Sequence, residues 1–176
     1  TTLQTLIAAV ESEYANTEDI DQQLSTAFSR LKQALPRIEV PKVYAQISAL
    51  DQSIIVGNGA IGVSLDKYLG ANYPLYIKYY SPSQRKQMTR EYILPDCLTF
   101  YLMSIYPLDH FDSRPQLERD LQIGKIQWIV NQVISKRIYR NKYEDAVDVY
   151  MKRNPNISYE TLLRMTDFAA FKVVEN

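Results

Sequence analysis

The sequence is poor in the residues from which most protein chemistry is built. Its 176 residues include one cysteine, Cys97, and one histidine, His110. A single thiol permits no internal disulfide and no cysteine-based zinc site, and a single imidazole removes every site that needs two. Cys97 lies in an apolar run and reads as a small core residue. Twenty basic side chains balance twenty acidic ones, so the basic excess of a dedicated nucleic-acid binder is missing. No apolar run reaches the ~18–20 residues of a membrane span; 54–65 and 100–108 are too short and are interrupted by Gly, Asn, Asp or Pro. There is no visible signal peptide and no initiator Met ahead of Thr1, so the chain is expected to be a piece of a longer precursor. No internal repeat, linker or low-complexity stretch appears.

What is present is a core. Apolar residues make up 46% of the chain, and a chain of this length buries roughly 70% of its unfolded surface without staples. The expectation is one domain. Leu3, Leu6, Ile7 and Val10 form a helical stripe, and Ile20, Leu24, Ala27, Phe28, Leu31 and Leu35 form another. Thr17 can cap the second helix, Glu18 and Asp19 suit its positive end, and Pro36 stops it. The period then changes. Residues 43–50 are rich in β-branched and aromatic types, Asp51-Gln52 reads as a turn, and 54–56 as a second strand. Gly57-Asn58-Gly59 predicts a hairpin turn into a third strand over 60–64. The expected sheet is a small antiparallel meander.

After Pro82 the pattern is helical. Pro95 kinks or starts a helix, with Asp96 in its first turn. Nearly every position from Tyr92 to Tyr106 is apolar, which predicts a central helix buried on all sides. Ser113 and Gln116 have the spacing of a capping box for a long helix through Ile134, Asn141 and Glu144 repeat that spacing, and Ser158 is placed to cap a last helix. The expected fold class is α+β, mostly helical, with the small sheet beside the buried helix. Residues 1–40 supply N-terminal helices, 41–65 the meander and 83–176 the helical core.

Few residues suggest chemistry. Gly57-Asn58-Gly59-Ala60-Ile61-Gly62 spells GxGxxG, but it lies between two strand-like runs rather than in a βαβ unit, so it reads as a turn and not as a nucleotide site. Asp109-His110-Phe111-Asp112 groups an imidazole with two carboxylates in what reads as a solvated loop between helices. In 90–96 charge falls on the most apolar helix, where it is costly unless paired. Glu91 or Asp96 is expected to be partly buried and paired with Arg90, Arg85, Lys86 or Lys125. Fourteen tyrosines are far above ordinary usage. Four of them lie at 73–80 near prolines, where regular structure is not expected. They either pack a loop onto the core or, through Tyr73, Tyr76 and Tyr79, face a sugar, peptide or protein.

The run Ile61-Gly62-Val63-Ser64-Leu65-Asp66-Lys67-Tyr68-Leu69-Gly70, followed by Asn72-Tyr73-Pro74-Leu75-Tyr76, resembles the GldB gliding-motility lipoprotein family of Bacteroidetes. The later segments Arg90-Glu91-Tyr92-Ile93-Leu94-Pro95-Asp96, Gly124-Lys125 and Ser158-Tyr159-Glu160-Thr161-Leu162 are similar to that family in the same order. The resemblance implies a lipid-anchored, periplasm-facing cell-envelope protein whose acylated cysteine lies upstream of Thr1, with envelope proteins as partners. It also implies a distant likeness to zincin-type metallopeptidases, whose His-Glu-x-x-His helix binds zinc. Arg90, Glu91 and Leu94 fall on that pattern, so the glutamate is kept while both histidine positions are lost. The implied protein is a zincin-like scaffold with no metal, no cofactor and no catalytic residue. Its cleft would be lined by Asp66, Tyr68, Tyr73, Tyr76, Arg90, Glu91, Asp96 and Lys125. A glycan- or peptide-binding module built on tyrosines is the alternative, and a hydrolase pairing Glu91 with Asp96 a further one.

Overall fold

A computed structural model describes residues 2–175. Two amphipathic helices open the chain, α1 (Thr2–Glu13) and α2 (Glu18–Ala34). Three strands follow, β1 (Lys42–Gln46), β2 (Ile54–Gly57) and β3 (Ala60–Ser64). The rest is helical: α3 (Pro74–Tyr79), α4 (Pro82–Arg85), α5 (Ile93–Ile105), α6 (Gln116–Ile134), α7 (Lys142–Arg153) and α8 (Tyr159–Arg164). The fold is therefore α+β and mostly helical, with one small sheet. The chain resolves into two compact units, residues 2–26 with 39–100 and residues 27–38 with 101–175.

The first unit holds the sheet. Gly57-Asn58-Gly59 forms the expected hairpin: β2 and β3 pair antiparallel from Ile54↔Val63 to Gly57↔Ala60. Asn58 and Gly59 both take positive φ, 51° and 74°, the conformation that a two-residue turn of this hand requires. The third strand departs from the meander. β1 pairs with β3 in parallel, Lys42↔Ala60 to Gln46↔Ser64, so the order is β1-β3-β2 and the sheet is mixed. The cause is legible in the loop after β1. Asp66, two residues beyond β3, accepts hydrogen bonds from the Ser48 and Leu50 amides at 3.0 and 2.7 Å. That carboxylate ties the C-terminal end of β1 to the C-terminal end of β3, a parallel arrangement. Ala49 and Leu50 take left-handed φ of 55° and 66° to present those amides.

In this unit Leu6, Val10, Ile54, Ile61 and Val63 are buried, and α1 packs on the turn Leu65–Lys67. The segment rich in tyrosine and proline is more regular than expected. Pro74 starts α3 from its first turn, where a missing amide costs nothing. Ser81 caps α4 through a capping box with Gln84. Helix α5 starts at Ile93 with Pro95 and Asp96 in its first turn. It is not buried all round: Ile93, Cys97, Leu98, Tyr101 and Leu102 are buried, but Phe100 is 41% exposed and Ile105 is exposed as well. An apolar sequence shows only that burial is possible; much of any folded surface is apolar.

The second unit is a helical core. Phe28 meets Tyr101 edge to face at 5.6 Å, and α6 packs against α7 and α8. Helix α6 does not use the expected capping box. It starts behind Pro115, while the Ser113 hydroxyl donates to the His110 carbonyl in a loop that closes with a short 3-10 turn. Asn141 does cap α7, accepting from the Tyr143 and Glu144 amides, and Ser158 caps α8. Glu144, expected to complete a box with Asn141, is instead buried and accepts from Arg137 and Asn131.

Candidate functional site

Seven of the eight residues read as a cleft lie in the first unit. Asp66, Tyr68, Tyr76, Arg90 and Asp96 spend polar atoms on partners within that unit, while Glu91 is exposed and Tyr73 half-buried. Asp66 is fully buried, with both oxygens engaged by the Ser48 and Leu50 amides. Its own carbonyl accepts from the hydroxyl of Tyr76, and that hydroxyl in turn accepts from the Leu69 amide at 3.1 Å. Tyr76 is completely buried, edge to face with Tyr73 at 5.0 Å and Tyr80 at 5.9 Å. It therefore contributes no exposed ring, contrary to one of the two readings of the tyrosine cluster. Of that trio only Tyr79 is well exposed, at 63%, with Tyr73 half-buried.

Tyr68 is buried and donates its hydroxyl to Asp96 at 2.6 Å, while its carbonyl accepts from the Tyr14 hydroxyl. Burial drives the Tyr14, Tyr68 and Tyr76 hydroxyls far above the ordinary tyrosine pKa, and for Tyr68 the Asp96 carboxylate adds to the effect. These phenols are donors that stay protonated. Cys97 is likewise pushed up to about 12, by burial first and Asp96 second, which makes it an inert thiol. Gly70, at the end of the same block, has φ of 112°; its amide donates to Met88 at 2.9 Å, a conformation that disfavours any side chain.

Arg90 and Glu91 occupy the 3-10 turn Arg90–Tyr92 ahead of α5, and Leu94 lies inside the helix. Arg90 does not pair with Glu91 or Asp96. Its guanidinium forks onto Asp19 at 2.6 and 3.0 Å, donates to the carbonyls of Glu13 and Asn16, and lies over the Tyr14 ring at 4.9 Å. The hydrogen bond from Arg90 holds Asp19 below the usual carboxylate range. Of the two acids singled out on this stretch, Asp96 is half-buried and Glu91 is exposed. The Asp19 partner was hidden in sequence because an acid at the start of a helix already has a local explanation.

Lys125 belongs to the second unit. It is fully buried, donates to the Met165 carbonyl at 2.7 Å and stands over the Phe168 ring at 4.7 Å and the Phe171 ring at 6.0 Å. Loss of water lowers its pKa to about 8, with a further push from the charge of Arg114. Its neighbour Gly124 explains the Gly-Lys pair. A Cβ there would stand 2.9 Å from the Tyr143 Cβ and 3.0 Å from the Tyr143 carbonyl carbon, so glycine sets how closely α6 and α7 approach. Nothing in the sequence pointed to Met165, Phe168 or Phe171 as the surroundings of this amine, since they follow α8 in an irregular segment.

Among the described residues no three His, Cys, Asp or Glu side chains converge to hold a metal ion, and no helix is long and apolar enough to cross a membrane. The loop carrying Asp109, His110 and Asp112 is exposed. Comparison with curated proteins and with solved structures returns no match. Comparison with family models matches residues 1–142 to the gliding motility protein GldB, a family of lipoproteins. The match takes in the Asp66–Gly70 block with the Tyr76 closure, the Arg90 latch and the Gly124-Lys125 pair, and with four-fifths of its length covered the chain belongs to the GldB family.

Proposed function

We propose that the protein is a non-catalytic domain of a lipid-anchored, periplasm-facing envelope protein, and that it serves gliding motility or the associated secretion by binding other envelope proteins. The observation that supports this reading most directly is the closure of its polar groups. A general acid or base must offer a proton or a lone pair to a substrate. Asp66 is filled by two backbone amides, Asp96 accepts from Tyr68, Tyr76 bridges two backbone groups, and Arg90 is spent on Asp19 and two carbonyls. Where the peptidase pattern would carry its two histidines stand that Arg90 and the aliphatic Leu94. The block shared with the family thus acts as architecture: it ties β1 to β3 and closes the turn beneath them. The reading calls for no cofactor and no nucleic-acid partner. Under the alternative, a glycan- or peptide-binding module, Tyr79 and Tyr73 would carry the recognition without Tyr76.

The test replaces the chromosomal copy in the source strain with Glu91→Gln or Asp96→Asn, with protein level and melting temperature checked. The expected result is unchanged cell behaviour, including gliding where the strain glides. Loss of function at normal level and stability would overturn the non-catalytic reading and favour a carboxylate-based hydrolase.

A further inference from the structure

The charges of this protein balance overall but not locally. From Lys67 to Arg90 the sequence carries Lys67, Lys78, Arg85, Lys86 and Arg90 and not one Asp or Glu. In the structure these cations are not neutralised by acids from elsewhere in the first unit, with one exception, Arg90 on Asp19. Lys67 donates to the Leu50 carbonyl and the Tyr80 hydroxyl, and Arg85 to the carbonyls of Ala71 and Tyr80. Neutral oxygens orient a charge without cancelling it. Lys78 and Lys86 are exposed, and among the described residues no carboxylate pairs with either.

The same stretch presents apolar and aromatic surface. On α3, Ile77 is 54% exposed and Tyr79 63% exposed, with the Lys78 ammonium 5.4 Å from the centre of the Tyr79 ring. Beside them is an open hollow of about 460 Å³ lined by Thr2 and Thr5 of α1 and by Tyr73, Pro74, Leu75 and Lys78. The α1 end bordering the hollow carries no acid; its Glu11 and Glu13 lie at the other end, where Arg90 reaches the Glu13 carbonyl. Leu3, next in sequence to Thr2, is also exposed.

We propose that this stretch, through the exposed side chains of Ile77, Lys78, Tyr79 and Lys86, docks onto an anionic phospholipid surface. The elements fit that occupant. Lysines beside an anionic leaflet gain roughly 1 kcal/mol each, tyrosine rings partition to the headgroup level, and an exposed aliphatic side chain enters the acyl boundary. Contacts of this kind would hold the domain at the bilayer surface, where an anchor alone supplies only a tether. The proposal takes its setting from the envelope reading above, but its test does not use the anchor.

The experiment is cosedimentation of the purified, unacylated chain with vesicles of phosphatidylcholine containing about 30% phosphatidylglycerol, and with phosphatidylcholine alone. The expected result is binding to the anionic vesicles that is lost in high salt. Lys78→Gln with Lys86→Gln should weaken it by about 30-fold, the value of two such charges. Ile77→Ser with Tyr79→Ser should weaken it as well, with circular dichroism unchanged. Absence of binding to either vesicle overturns the proposal and leaves the envelope reading standing. Equal binding to both vesicles overturns it, as does binding that survives both pairs of substitutions, which would place the contact elsewhere on the chain.

Discussion

Lys125 is the buried charge whose cost pH can switch off. The amine is wholly enclosed, has one carbonyl for a hydrogen-bond partner and stands against two aromatic rings. Burial, helped by Arg114, lowers its pKa from 10.5 to about 8. Because the folded value lies below the unfolded one, the unfolded chain binds more protons between the two, and stability rises with pH through that window. At neutral pH both states are protonated and the whole penalty is present. That lowering corresponds to ~3 kcal/mol, of which about 2 kcal/mol should be recovered between about pH 7 and pH 9.5. Other groups titrate there in the opposite sense. Cys97, held up at about 12 in the fold, loses its proton first in the unfolded chain, so its stabilising effect fades as pH rises. The clean quantity is therefore the difference between the protein and Lys125→Met. That variant keeps the length of the side chain and leaves the Met165 carbonyl without its donor, a loss that does not vary with pH. Urea unfolding of both proteins at the two pH values gives the difference directly. The protein should gain about 2 kcal/mol on Lys125→Met as pH rises. A difference constant within ~0.5 kcal/mol would mean that the amine stays hydrated and is not the desolvated group its enclosure implies.

Four further changes probe the architecture. Gly124→Ala should destabilise by about 1–3 kcal/mol, because the atoms its methyl meets are the Cβ and backbone of Tyr143, which no rotamer change can move; a denaturant midpoint that does not shift would show that α6 and α7 have room. Asp66→Ala removes a charged acceptor from two amides in a loop with two left-handed residues and should cost ~2–4 kcal/mol, with hydrogen exchange at Ser48 and Leu50 accelerating more than in β2; equal exchange rates would mean that the loop is held by something else. Gly59→Ala should cost ~1 kcal/mol through backbone strain alone, since φ is 74° and nothing lies within 4 Å of the added methyl, whereas Asn58→Gly should melt within a few degrees of the unaltered protein.

How much of this was legible in the sequence depended on how local the cause was. The hairpin at Asn58-Gly59, the cap at Asn141, the cap at Ser158 and the stop at Pro36 are each decided within a few residues, and the sequence states them. The parallel pairing of β1 with β3 is decided by Asp66 reaching back to Ser48 and Leu50. Nothing in the strands themselves distinguishes that outcome from a meander, and a short loop would ordinarily have favoured the hairpin. The same holds for the candidate site. Asp66, Tyr68, Tyr76 and Gly70 stood out through the block that resembles the GldB family, and the structure shows what each is for: a loop clasp, a buried donor to Asp96, a bridge between two backbone groups and a positive-φ turn. The shared block marked these positions as constrained, but constraint by folding and constraint by chemistry leave the same mark on a sequence. Only their partners separate the two, and here the partners are backbone amides, backbone carbonyls and each other. The surface that no fold requirement explains, the acid-free stretch around Ile77, Lys78, Tyr79 and Lys86, drew attention for its tyrosines alone. Its lack of acids shows in the sequence, but whether neighbouring elements supply those acids is a question only the fold can answer.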